Sequence, residues 1–276
     1  YSDIAKALLL DVKVIENSDI SLQGYVARSV ITRYDGLINY DGDLGLLVPD
    51  ASLTVDEQVI ETLSFDLRGN ALEQEIVKKY FDTDSNSLVF SEAQKISTDS
   101  YDIHNRATAS YIRSYTDSTF ETFKDEMQRV IYVGYDKFGN VGTETVDTYT
   151  SFGIDQAYQV DHKLIENTYT TSIAQRRGNA DISVVTRSDK TGVLIDRSTT
   201  TTTVFSDFGY AIDQNVISEV YSLGAFVKTE KREVHNVSLD NRGDAETQNI
   251  KSYISDDNGV SYDLVTYQEL TNRKFD

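Results

Sequence analysis

Cysteine and tryptophan are absent from the 276 residues, and the chain has a single proline, Pro49. Without cysteine there is no disulfide framework, no zinc–thiolate centre and no thiol nucleophile. With one proline, long ladders of backbone N–H donors can run unbroken. No apolar run is long enough to cross a bilayer as a helix, and no leader-like segment opens the chain. Basic residues are also in short supply, with 26 Lys and Arg against 45 Asp and Glu and a net charge of −19. Phosphate recognition needs clustered cations, so nucleic acid is excluded as a partner, and anionic membrane surfaces with it. The acidic surplus serves solubility and self-repulsion. Neither a nucleophile elbow, a phosphate loop nor a dinucleotide fingerprint occurs.

What the chain does have is Thr, Ser, Tyr and Val in strand-like stretches, and a repeat. Phe65-Asp66-Leu67-Arg68-Gly69-Asn70-Ala71 recurs from Tyr101 as YDIHNRA and from Tyr135 as YDKFGNV. Looser copies begin at Ala174 (AQRRGNA), Phe205 (FSDFGYA), Leu239 (LDNRGDA), Tyr1 (YSDIAKA) and Tyr34 (YDGLINY), and Phe275-Asp276 opens a ninth. The period is about 34 residues, with spacings of about 31 to 39. Residues 1–276 therefore read as one array, cut from a longer chain. The signature is a turn: Asp initiates it, and Gly or Asn accepts the left-handed region at its fourth or fifth residue. The predicted turn residues are Asp66, Gly69, Asn70, Asp102, Asn105, Asp136, Gly139, Asn140, Gly178, Asn179, Gly209 and Gly243.

A second reversal is expected near the middle of each unit. Its positions are Asn17-Ser18-Asp19, Pro49-Asp50, Asp82–Asn86 and Thr116–Thr119 in the first half. Ser151–Asp155, Ser188–Gly192, Ser222–Gly224 and Asp256–Gly259 follow, Asn258-Gly259 being a type I′ signal. Two turns per unit give two antiparallel strands per unit, about sixteen in all, each roughly 10 to 12 residues or about 33–40 Å long. The expected fold is all-β: tandem antiparallel hairpins forming a continuous twisted strip that spirals or closes into a tube about 25 Å across.

Aligned by position in the unit, one column reads Val12, Ile76, Ile112, Val146, Val185, Val216 and Ile250, and another includes Ile60, Ile96 and Val130. These are the predicted core. The seventh position is Ala71, Ala107, Val141, Ala180, Ala211 and Ala245, small enough for close approach near the turn. It lies five residues from the first column, so either a bulge intervenes or both faces are partly buried; partial burial is preferred, because charges occur on both faces. Gln58, Gln94, Gln128, Asn167 and Gln268 share one polar column and Gln74, Gln214 and Gln248 another, a pattern that admits side-chain amide ladders.

The [Tyr/Phe]-Asp units at 65, 101 and 135 resemble YD repeats, the unit of Rhs- and teneurin-type β-shells, and the likeness extends at lower fidelity along the whole chain. It is closest to the long, diverged YD-like arrays of giant bacterial surface proteins. The resemblance implies a strip of hairpins that curls into a hollow shell, which in polymorphic toxins encloses a toxic domain.

Chemistry is sparse. His104, His162 and His235 are far apart and have no ligand-spaced partners. Asp82-x-Asp84-x-Asn86 copies the opening of an EF-hand loop without its later ligands and reads as a polar hairpin tip, leaving Ca²⁺ as a low-grade candidate along with Asp41-Gly42-Asp43 and Asp256-Asp257. Otherwise no cofactor, metal or catalytic residue is expected, and the chain reads as a non-enzyme. A site in such an array would break its periodicity. The main irregularities are the unit of about 39 residues that starts at Tyr135 and the Thr199–Thr203 run. Asn236-Val237-Ser238 is a glycosylation sequon of a kind met by chance in Ser/Thr-rich chains. The expected role is structural: a segment of a long extracellular or cell-surface fibre, tube or stalk, bacterial in type, whose partners are neighbouring repeats or identical chains. The alternatives are a shell segment of a toxin or effector, and an adhesin or glycan-binding array with aromatic platforms at Tyr115, Tyr149 and Tyr253. A membrane barrel is excluded, because Lys228, Glu230 and Arg232 fall on one face of a predicted strand and Lys231 and Glu233 on the other.

Overall fold

The computed structural model describes residues 12–34, 38–41, 46–49, 51–239, 243 and 245–271. Among these residues it is antiparallel sheet with one short α-helix and two single-turn 3-10 helices, Ala51–Leu53 and Gln156–Tyr158. The first strands are β1 (Val12–Ile20), β2 (Val26–Tyr34), β3 (Ile38–Asp41) and β4 (Leu46–Pro49). Next come β5 (Thr54–Phe65), β6 (Ala71–Asp82), β7 (Ser87–Tyr101), β8 (Ala107–Tyr115) and β9 (Phe123–Tyr135). β10 (Val141–Tyr149), β11 (Gln159–Thr168), helix α1 (Ser172–Arg177), β12 (Ile182–Ser188) and β13 (Leu194–Phe205) follow. β14 (Ala211–Ser222), β15 (Ala225–Leu239), β16 (Ala245–Ile254) and β17 (Asp263–Leu270) complete the chain.

Fifteen strands hydrogen-bond in chain order, β1-β2-β5 and onward to β17, while β3 and β4 form a separate two-stranded sheet. Among the described residues the order is open: β1 and β17 each have one neighbour. This corrects the expected strip that spirals or closes into a tube. Closure needs a β1–β17 ladder, and a spiral needs successive turns of the strip to lie on one another. Instead, the substantial contacts of the strands are with their ladder neighbours. The physical reason lies in the faces. Both carry charge and hydroxyls, so neither offers an apolar surface to wrap around.

The chain divides into two compact units, Tyr1–Met127 and Gln128–Phe275. In the first, Met127 and Ala93 are fully buried and Ile76 and Tyr115 nearly so. Opposed ion pairs, Lys79–Glu57 at 2.8 Å and Lys95–Glu75 at 2.6 Å, link neighbouring strands. In the second, Val130, Tyr149, Ala174 and Ala245 are buried. Of the predicted core, then, Ile76 and Val130 are buried, while Val12, Ile60, Ile96, Ile112, Val146, Val185, Val216 and Ile250 are half-buried. The two columns do meet: Ile60 faces Ile76, Ile96 faces Ile112, and Val234 faces Ile250.

The signature turns at 66–70, 102–106, 136–140 and 206–210 share one geometry. The first residue's N–H donates to the fifth residue's carbonyl, and the fourth residue's N–H to the first residue's carbonyl. In the copy at 66, the Asp66 carboxylate also accepts from the N–H groups of Arg68 and Asn70 and from the Asn70 amide. Asn105, at the fourth position, takes φ 62° where the other three turns have glycine. Three expectations change. Asn17-Ser18-Asp19 lies inside β1, and the reversal after it is Ser21–Tyr25, which has the same two hydrogen bonds as the signature. Pro49 ends β4 in the small sheet rather than turning the main one. The copy at Ala174 is not a hairpin turn: Thr171 caps α1, and Gly178 (φ 77°) ends it. The copy at Tyr1 and Phe275-Asp276 lie outside the described residues, as do Asp50 and Gly42-Asp43. Tyr34 ends β2, and no signature turn is described after it.

A recurrent bulge lies between the small and β-branched columns, and partial burial of both faces accompanies it: consecutive strand positions are half-buried. Around the turns at 66–70, 102–106 and 206–210, and between β15 and β16, one residue on each strand drops out of the ladder: Leu63 and Leu72, Asp99 and Thr108, Thr203 and Ile212, Val237 and Glu246. The seventh-position carbonyls near these bulges are capped by side chains of the following strand. Tyr101 Oη donates to the Ala71 carbonyl, and Asn236 Nδ2 to the Ala211 carbonyl at 2.8 Å.

Candidate functional site

Both sequence irregularities converge on one groove in the second unit. After β11 a signature turn is replaced by the segment 169–181, which carries α1. Asp181, buried at 6% exposure, fastens it. Its carboxylate accepts from the N–H groups of Thr170 (2.5 Å) and Thr171 (2.9 Å) and from both threonine hydroxyls. Burial works to raise this carboxyl, but the bonds from Thr171 and Thr170 prevail and hold it below its ordinary value. Its backbone is tied on both sides, by Asp181 N–H to Thr168 O and Thr202 N–H to Asp181 O.

The groove encloses about 560 Å³. Cross-strand register builds its floor: Asn167 faces Ser183, and Ser183 faces Thr200, so the three side chains form one row on one face. Beside it, Gln214 donates to Thr202 Oγ1 at 3.2 Å, and Asn236 borders the groove further along. Tyr169, Phe205 and Tyr210 bound it with ring surface, and Gly178, Asn179 and Ala180 supply the edge next to α1. Small residues at Ala180 and Ser183 leave the space open. Glu144 is the only charged lining residue among those described, and its carboxylate accepts from Asn167 Nδ2 at 3.2 Å. Desolvation, then the charges of Glu144 and Asp136, push the Tyr169 hydroxyl above its ordinary value. Tyr169 is thus a neutral hydroxyl, donating to the Val141 carbonyl at 3.4 Å.

Two histidines lie elsewhere in the same unit, each directly opposite an aspartate. His162 Nδ1 lies 2.5 Å from Asp147 Oδ1, and Gln159 Nε2 donates to the same oxygen at 2.9 Å. His235 Nδ1 lies 2.6 Å from Asp213 Oδ1, in a second groove with Glu233, Lys251 and Tyr267. The Asn249 carbonyl oxygen on that groove's lining is buried without a hydrogen-bond partner. His104 sits exposed in its turn, its N–H donating to Asp102. The sequence pattern did not show these pairs; register alone brings together residues 15 and 22 apart.

The other candidates separate. Asp82 accepts from the N–H groups of Asp84 and Ser85, so it stabilises its own tip. No group of three or more acidic or histidine side chains at metal-holding distance occurs among the described residues. Tyr115 and Tyr149 are buried at 4% and 6% exposure, which removes them as aromatic platforms; Tyr253 is half-buried and donates to Glu233 at 2.9 Å. Among the described residues, one of the two polar columns bonds across its own hairpins. Gln74, Gln214 and Gln248 each bond the residue directly across the hairpin, namely Thr62, Thr202 and Asn236. No protein-family model matches the chain, and no curated protein matches it at a significant level.

Proposed function

We propose that the chain is a structural, non-enzymatic module that adds length to an extracellular or cell-surface fibre or stalk. The observation that carries this is the open strand order, in which each strand bonds its chain neighbour and the two outer strands stay single-sided. A sheet of this kind lengthens by adding hairpins at an edge, without a new core. The outer strand β17 is exposed along nearly its whole length, with Leu264, Val265 and Tyr267 more than half accessible. It is a template for pairing with neighbouring repeats or identical chains. The YD-like turns and the acidic, hydroxyl-rich composition support the same reading, as does the likeness to arrays of bacterial surface proteins.

Sedimentation velocity and electron microscopy across a concentration series test it. End-to-end association is expected, and its loss in Val265→Pro, a position that drops out of the β16–β17 ladder. A chain that stays monomeric at high concentration would overturn the proposal, as would association indifferent to that substitution.

A further inference from the structure

We infer that the groove between Tyr169 and Tyr210 is a binding site for a neutral oligosaccharide. Its volume of about 560 Å³ falls in the range of roughly 300–1,000 Å³ usual for small-molecule sites. The argument rests on what the lining offers and what it lacks. Among the described residues of the lining, lysine, arginine and histidine are missing, so an anionic ligand finds no counter-charge there and meets Glu144. A cation finds, among the described residues, that one carboxylate, already engaged by Asn167. A hydrocarbon would strip water from Asn167, Ser183, Thr200 and Gln214 and return no hydrogen bond.

A sugar matches each of these groups. The hydroxyls of Ser183 and Thr200 stand opposite each other on the floor and make no hydrogen bond among the described residues. The carbonyl oxygens of the Gln214 and Asn179 side chains accept none, since both amides are anchored through nitrogen, to Thr202 and to the Gly209 carbonyl. Donors are thus free on the floor and acceptors beside it, with neighbouring strands about 5 Å apart. Saccharide hydroxyls are both donors and acceptors at comparable intervals. Tyr169, Phe205 and Tyr210 provide ring surface for the less polar face of a pyranose. The site also sits where the repeat is broken, so the strip gains it without altering its regular hairpins.

The test is a glycan array followed by calorimetry with the 276-residue chain, using cello-, xylo-, manno- and malto-tetraose, with sialylated and sulfated glycans as charged comparators. At least one neutral probe is expected to bind, and the charged ones not. Ser183→Ala with Thr200→Val keeps side-chain volume and should weaken that binding at least tenfold at an unchanged unfolding temperature. Thr200→Lys, which leaves the paired groups alone, should abolish it. Absence of binding by every neutral probe, preference for a charged one, or affinity untouched by both variants would each overturn the inference.

Discussion

Gly69 and Gly139 hold the same turn position at nearly the same φ, 86° and 90°, yet their surroundings differ. A Cβ on Gly139 would meet nothing within 4 Å, whereas on Gly69 it would come within 2.4 Å of the Tyr25 ring. Gly139→Ala should therefore cost only the left-handed penalty, about 1 kcal/mol. Gly69→Ala should cost roughly 1–3 kcal/mol more, from overpacking against Tyr25. Denaturant unfolding of the two variants separates backbone from packing. Leu223 presents the converse case: it is fully exposed at φ 51° beside Gly224, in the two-residue link between β14 and β15. Leu223→Asn should stabilise by about 0.5–1 kcal/mol, seen as a higher denaturant midpoint. The turn aspartates set the acid response. The Arg106 side chain, against an opposing desolvation, and the N–H groups of Arg106 and His104 lower the Asp102 carboxyl to about 2. A folded-state value below the unfolded one near 3.8 means stability that is complete above about pH 4 and lost as pH falls toward 2. Asp102→Asn should flatten thermal unfolding temperature against pH in that window.

At the level of the elements, the hairpins were legible because their punctuation is local. Gly69, Gly139 and Gly209 mark reversals whatever the rest of the chain does. Ser21–Tyr25 was missed because the mid-unit reversal was placed at Asn17-Ser18-Asp19, although Gly24 and the hydroxyl of Ser21 repeat the turn's chemistry in its own sequence. The columns found the facing pairs but overstated their burial, since periodicity reports which face a residue shares and not whether another layer covers it. The bulges were legible only as one of two readings of the five-residue spacing between the columns, because dropping one residue on each strand preserves the spacing of everything beyond. The groove was legible only as an interruption of the period; no single residue in 169–181 announces it. Its clamp is testable. Asp181→Ala leaves the Thr170 and Thr171 donors without an acceptor, at a cost of about 2 kcal/mol. Hydrogen exchange should then rise in α1 and the start of β12 before it rises in β14 and β15.

For the whole molecule, charge governs association. At −19, identical chains repel each other before their edges meet. Raising salt from about 0.01 M to 0.15 M shortens the screening length from roughly 30 Å to about 8 Å, so edge-to-edge association should strengthen with ionic strength. Weaker association on adding salt would point to ion pairing as its source. The covering of one turn by another adds something that a symmetric sheet lacks. Tyr25 lies over Gly69, Asn70 donates to Asn105, Asn179 donates to the Gly209 carbonyl, and Tyr210 lies over Gly243. In each of these four contacts a side chain of the earlier turn reaches the later one. The ladder of turns thus has a head and a tail, and an incoming hairpin is received at one edge in a way the other edge cannot imitate. Growth from such an edge is polar, as laying roof tiles is: each course must be set in one direction to shed water.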